Sequence, residues 1–131
     1  MILTTKARYA VMAVIEIASQ SEKKPLSLGE ISKSQKISLS YLEQIFTFLR
    51  KREIVNAIKG PGGGYILAKN KHEITISDII KAIDEPVKMT RCASQQAGCM
   101  NNKTKCKTHH LWRGLEDRIY DYLNSITLEK L

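Results

Sequence analysis

Ile54-Val55-Asn56-Ala57-Ile58-Lys59-Gly60-Pro61-Gly62-Gly63-Gly64-Tyr65-Ile66-Leu67 is the stretch whose reading decides the fold. Ile54 to Ile58 is a short β-rich run and Tyr65 to Leu67 a second one. Lys59 to Gly64 between them form a glycine-rich tip, so the stretch predicts a β-hairpin. Two short helices precede it. Ser27 opens the first, with Glu30 three residues on completing a capping-box pattern, and it carries Leu28 and Ile31 and ends near Gln35. Lys36 and Ile37 make a tight turn. The next helix starts at Ser38 or Ser40 and runs to about Lys51, with Leu42, Ile45, Phe46 and Leu49 as its buried stripe. Two short helices around a tight turn are a helix-turn-helix pattern. A hairpin directly after it is a wing. The expected fold is mainly α with a small β-hairpin wing: a winged helix-turn-helix plus a long C-terminal dimerisation helix. It forms a single domain over 2–131, with the helix-turn-helix at 28–51 and the wing at 54–68.

The glycines could instead mark a nucleotide phosphate loop. No Gly-Lys-Ser/Thr is present and no helix follows, which speaks against it. An ordinary hairpin turn is the plain alternative. Lys59 and the helix before it favour a wing whose bare backbone approaches DNA phosphates closely.

Outside this core, Thr4 or Thr5 caps a first helix that runs to about Gln20. Its apolar face is Ala7, Ala10, Val11, Val14, Ile17 and Ala18. Ser21 to Pro25 breaks it. Residues 74–84 give a piece of strand and then a short helix with Ser77 as a plausible cap, and Pro86 ends it. Val87 to Lys105 has little periodicity; a loop of that length is commonly functional. A long amphipathic helix covers 107–128. Leu111, Leu115, Ile119, Tyr122 and Ile126 line one face, with Trp112 and Leu123 beside it. This stripe exceeds what a small wing domain covers, which points to pairing with a second copy, a homodimer reading two half-sites of double-stranded DNA.

The charge pattern agrees. The chain has 21 Lys and Arg against 13 Asp and Glu, a net of +8. Residues 1–70 carry 11 basic and 5 acidic groups, net +6, which leaves 10 and 8, net +2, for residues 71–131. A basic N-terminal half suits a polyanion. Ser38, Ser40, Tyr41, Glu43 and Gln44 crowd the start of the third helix, where base edges are reached. Gln44 can bond adenine twice, and Glu43 can accept from cytosine N4. Arg50, Lys51, Arg52 and Lys59, with Gly60 and Pro61 at the wing tip, are the expected backbone contacts. For any one of these residues a solvated face or a helix cap is the plain alternative. No segment has the order of a secretory signal, and no apolar run approaches the roughly 20 residues of a spanning helix. A cytoplasmic protein without membrane contact is expected. No nucleophile triad, paired-carboxylate motif or cofactor loop is present, so no enzyme and no small-molecule substrate is expected.

The chain's three cysteines, Cys92, Cys99 and Cys106, are separated by six residues each, and His109 follows one helical turn after the third. Reduced thiols in this number cannot all pair within one chain and are free to bind metal. Incidental cysteines are disfavoured by the polar surroundings, Arg91, Ser94, Gln95, Gln96, Asn101, Asn102 and Lys103. Structural zinc suits three thiolates and an imidazole, although zinc sites usually include a closer Cys pair. An iron–sulfur cluster suits widely spaced ligands on a loop. Spacing leaves zinc and a cluster both open.

Several motifs occur in order: Leu3-Thr4 through Arg8-Tyr9-Ala10-Val11; Ile37-Ser38-Leu39-Ser40-Tyr41-Leu42-Glu43-Gln44; Gly60-Pro61-Gly62-Gly63-Gly64-Tyr65; Thr90-Arg91-Cys92; Cys106-Lys107-Thr108-His109 with Leu111-Trp112; and Ile126-Thr127-Leu128. On these the chain resembles, over nearly its whole length, the iron–sulfur cluster regulators of the Rrf family of winged-helix repressors. The resemblance implies one 2Fe–2S cluster per subunit, held in the segment 90–109 by Cys92, Cys99, Cys106 and His109. It implies that the loaded form represses cluster-assembly genes, that the empty form binds a second class of site, and that Glu43 sets that selectivity. The chain departs from the family pattern in three places. Each cysteine gap is a residue longer, His110 directly follows His109 and is also within a turn of Cys106, and Lys59 stands where the family typically has Arg. A nitric oxide or redox sensor of the same family, a zinc-stabilised interaction protein, and an electron-transfer enzyme are the other readings.

Overall fold

The computed structural model describes residues 3–20, 24–85, 87 and 105–131. Among the described residues five helices and one hairpin follow in the order α1 (Thr5–Ser19), α2 (Leu28–Gln35), α3 (Leu39–Lys51), β1 (Val55–Ile58), β2 (Gly64–Leu67), α4 (Ile76–Ala82) and α5 (His109–Ser125). Single 3₁₀ turns lie at Lys71–Glu73 and Leu128–Lys130. Cys92, Cys99 and most of the expected Val87–Lys105 loop lie outside the described residues.

The caps explain where the helices begin. Thr4 accepts from the Ala7 amide and starts α1. Ser27 and Glu30 form the expected capping box on α2, and Ser38 accepts from the Tyr41 amide at the head of α3. Lys36, between α2 and α3, takes a left-handed conformation with φ 57°. The Ser32 hydroxyl fixes this corner by donating to the Ile37 carbonyl at 2.6 Å. Three expectations are corrected. Thr75, not Ser77, caps α4, in a box with Asp78; Ser77 is buried and its hydroxyl has no partner among the described residues. Helix α5 covers His109–Ser125 rather than 107–128. Ile126 is therefore not on its stripe: its carbonyl accepts from the Ile76 amide at 2.9 Å, and the Leu128 amide donates to the Ile74 carbonyl at 3.0 Å. These residues pair with 74–76 as a short antiparallel bridge, Thr75 opposite Thr127, so backbone pairing wins over continued helix.

One core unites the elements. Ala7, Ala10, Ala13, Val14, Ile17 and Ala18 of α1 are buried, and their small side chains let α1 approach its neighbours closely. Leu42, Ile45, Phe46 and Leu49 of α3 and Ile79, Ile80 and Ile83 at α4 are fully enclosed. Complete burial of a side chain of this size contributes about 1.5–3 kcal/mol. Phe46 stacks at a tilt on Tyr65, ring centres 4.7 Å apart, which joins α3 to the hairpin. Among the described residues no helix is long and apolar enough to cross a membrane.

Candidate nucleic-acid interface and metal segment

The spacing of the α3 side chains sorts them into rows, because residues seven apart lie nearly in line on a helix. The rows Glu43–Arg50, Ser40–Thr47, Gln44–Lys51 and Tyr41–Phe48 follow one another around the face opposite the buried stripe. Ser40, Glu43, Gln44, Thr47, Arg50 and Lys51 are all exposed. The structure thus gathers most of the expected base- and phosphate-reading residues on one face. Ser38 is exposed too, but its hydroxyl is occupied as a cap. Tyr41 is half-buried and meets the Tyr9 ring edge-on, centres 5.9 Å apart, so α1 sets its orientation.

Two residues at this face, Phe48 of α3 and Lys6 of the neighbouring α1, escape the sequence reading. The Lys6 ammonium sits 4.3 Å from the centre of the Phe48 ring. Phe48 is apolar yet exposed, and a phenylalanine on the outward side of an amphipathic helix was the available signal.

The hairpin is antiparallel with Val55 opposite Leu67 and Ile58 opposite Gly64. Lys59, Gly60 and Pro61 are exposed at its tip. Gly60 and Gly62 have φ of 96° and 74°, which favours glycine, and the space around both is open. Gly63 and Gly64 have an internal reason to be glycine. A Cβ on Gly63 would stand 2.2 Å from the Ile58 carbonyl oxygen, and one on Gly64 would stand 2.5 Å from the Leu26 carbonyl. Leu26 pairs with Tyr65 through bonds of 3.0 and 2.8 Å, so the wing is strapped to the chain entering α2. The bare backbone expected to meet DNA is, at these two positions, turned against the protein itself.

Of the expected metal ligands, Cys106 and His109 lie among the described residues. The His109 amide donates to the Cys106 carbonyl at 3.1 Å, so the two are joined across the opening turn of α5. Cys106 Sγ is 3.4 Å from the Thr108 hydroxyl, which also accepts from the Trp112 indole at 3.1 Å. His109 is 3% exposed, and neither ring nitrogen has a hydrogen-bond partner among the described residues. Its pKa is lowered, first by burial and then by Lys105, His110 and Arg113, so the neutral imidazole that binds metal is favoured. His110 is exposed, its ring nearly perpendicular to that of His109. A buried imidazole in its neutral form, with no partner among the described residues, fits a metal centre. No group of three or more metal-ligating side chains gathers among the described residues.

The outer face of α5 is apolar in part. Leu111 is 61% and Tyr122 66% exposed, with Leu115 also exposed. Ile119, Tyr120 and Leu123 face the core instead, and the Tyr120 hydroxyl accepts from the Val87 amide at 3.1 Å. The expected single stripe is therefore two faces, one turned inward and one outward.

Residues 3–131 match the Rrf2 family model, described as an iron-dependent transcriptional regulator. The chain is 50% identical over 129 residues to the HTH-type transcriptional regulator IscR of Pectobacterium carotovorum subsp. carotovorum, covering 98% of this chain and 77% of that protein. It is equally similar to IscR of Escherichia coli O1:K1 / APEC, covering 98% and 78%. Among solved structures, CymR (YrzC), the global cysteine regulator of B. subtilis, superposes with a TM-score of 0.82 at 30% identity, covering 99% of this chain and 95% of that one. T. potens IscR gives 0.77 at 30% identity, covering 99% and 85%. Motif order, hairpin and family agree: this chain belongs to the Rrf2 family, and is a DNA-binding transcription regulator rather than an enzyme.

Proposed function

We propose that this regulator acts mainly as a repressor, senses iron–sulfur cluster status through one bound 2Fe–2S cluster per subunit, and controls cluster-biogenesis genes from the cytoplasm. The candidate ligands are Cys92, Cys99, Cys106 and His109, in the segment 90–109. Ser38, Ser40, Tyr41, Glu43, Gln44, Arg50 and Lys51 with the wing residues Lys59, Gly60 and Pro61 are the DNA contacts. The exposed face of α5 joins two copies so that a homodimer reads an operator of two half-sites. The observation that carries the metal part is His109, buried with both ring nitrogens unsatisfied among the described residues. A buried polar group without a partner is costly, and a metal resolves that cost. The 50% identity to IscR proteins supports the choice of a cluster.

When bound, the cluster supplies a centre whose presence depends on iron, sulfide and oxidation. The protein's part is to hold a neutral imidazole at the head of α5 and to place that helix against α4, where Lys81 lies 5.8 Å from the Tyr120 ring centre. A coupling of about 1–3 kcal/mol between the two sites changes DNA affinity about 5–150-fold.

Anaerobic purification with visible absorbance, iron and acid-labile sulfide analysis, and DNA binding of loaded and empty protein on the same duplexes tests this. Iron with equimolar sulfide and a loading-dependent change in affinity is expected. Zinc without sulfide after careful reconstitution would replace the reading by a zinc-stabilised DNA-binding protein.

A further inference from the structure

A recognition helix in the major groove lies between two phosphate chains, so it has two flanks to neutralise. On α3 the two flanks differ. The row Glu43–Arg50 carries a cation near the helix end. The opposite row, Tyr41–Phe48, is wholly aromatic, and the nearest cation that α3 brings to this side is its C-cap Arg52, one turn beyond Phe48. Helix α1 adds a second cation there. Its first turn has no acidic residue but carries Lys6 and Arg8, an arrangement that the helix dipole disfavours and an external anion would favour. The Lys6 ammonium lies over the Phe48 ring at 4.3 Å, inside the range in which a ring face holds a cation. A ring face occupies one side of an ammonium and leaves donors free for phosphate oxygens.

We propose that Lys6 contacts a DNA backbone phosphate on the Tyr41–Phe48 flank of α3, ahead of Arg52, and that Phe48 positions it there. This rests on the reading of α3 as the DNA-facing helix. In that role Lys6 adds affinity without reading sequence, and its loss is felt equally on every duplex.

The test uses the full chain and operator duplexes selected from a random pool by the wild-type protein. Salt dependence of the dissociation constant is then measured for wild type, Lys6→Gln, Phe48→Leu, Phe48→Tyr and the Lys6→Gln/Phe48→Leu double variant. Lys6→Gln is expected to flatten the slope of log affinity against log salt by about 0.9 per protomer, by the same amount on strong and weak duplexes. Phe48→Leu should give much of that loss and Phe48→Tyr little of it. The double variant should be no worse than Lys6→Gln alone. An unchanged slope for Lys6→Gln overturns the phosphate contact. Full additivity of Lys6→Gln and Phe48→Leu overturns the positioning by Phe48. If the wild-type protein enriches no duplex, the reading of α3 itself falls, an outcome distinct from both.

Discussion

His109 and His110 are neighbours in the chain and opposites in environment: one is buried with no hydrogen-bond partner among the described residues, the other is exposed. His109→Ala is therefore expected to abolish the visible absorbance of reconstituted protein while His110→Ala keeps it; the reverse pattern would move the ligand by one residue. The sequence left this choice open, because both histidines lie within a helical turn of Cys106 and spacing carries no information about solvent. The glycine tip shows the same limit. Sequence marked Gly62 to Gly64 as a unit, yet only three-dimensional packing separates Gly62, in open space, from Gly64, against the Leu26 carbonyl. Gly64→Ala should destabilise the protein by about 1–3 kcal/mol in urea unfolding, the usual cost of forcing extra atoms into a packed site, whereas open space leaves only the φ penalty at Gly62.

Local rules made the N-terminal elements legible. Ser27 caps the helix expected of it, and Thr4 and Ser38 are each one of the two caps the sequence offered, because a capping side chain and the amides it serves are only two or three residues apart. The same rule failed at α4, where Thr75 and Ser77 are both chemically suitable. Pairing of residues 74–76 with 126–128 decides in favour of Thr75, and that partner lies far along the chain. The box on α2 gives a pH dependence. The Glu30 carboxylate accepts from the Ser27 amide and hydroxyl, which holds its pKa below the ordinary carboxylate value, with Lys24 and Lys33 adding to the shift. A lowered folded-state pKa means that the stabilisation is complete above the ordinary value and is lost as pH falls through the lowered one. Melting temperature should thus fall less steeply with acidification in Glu30→Gln, whose amide oxygen accepts the Ser27 N–H at any pH. Ser27→Ala should cost about 1 kcal/mol at neutral pH, measured by urea unfolding.

At the scale of the whole molecule, α5 separates an inner face from an outer one. Amphipathic periodicity identified the helix but merged the two, since Ile119 and Leu123 point to the core while Leu111 and Tyr122 point to solvent. Leu115→Lys on the outer face is expected to leave the circular dichroism unchanged and to give a monomer in analytical ultracentrifugation. Affinity for paired half-sites should then drop by about 10²–10⁴-fold, the loss expected when two linked contacts become one. An unchanged sedimentation coefficient would argue that α5 is not the dimer contact. The bridge between Thr75 and Thr127 also has a consequence in time. Ile74 and Ile76 find their backbone partners only when residues 126–128 have been synthesised. At about 5–20 residues per second, a wait for roughly 50 more residues lasts about 3–10 s. During translation the helix-turn-helix and wing are therefore present before the body they rest on is closed, and the nascent chain holds Ile74 and Ile76 without their backbone partners until residues 126–128 emerge.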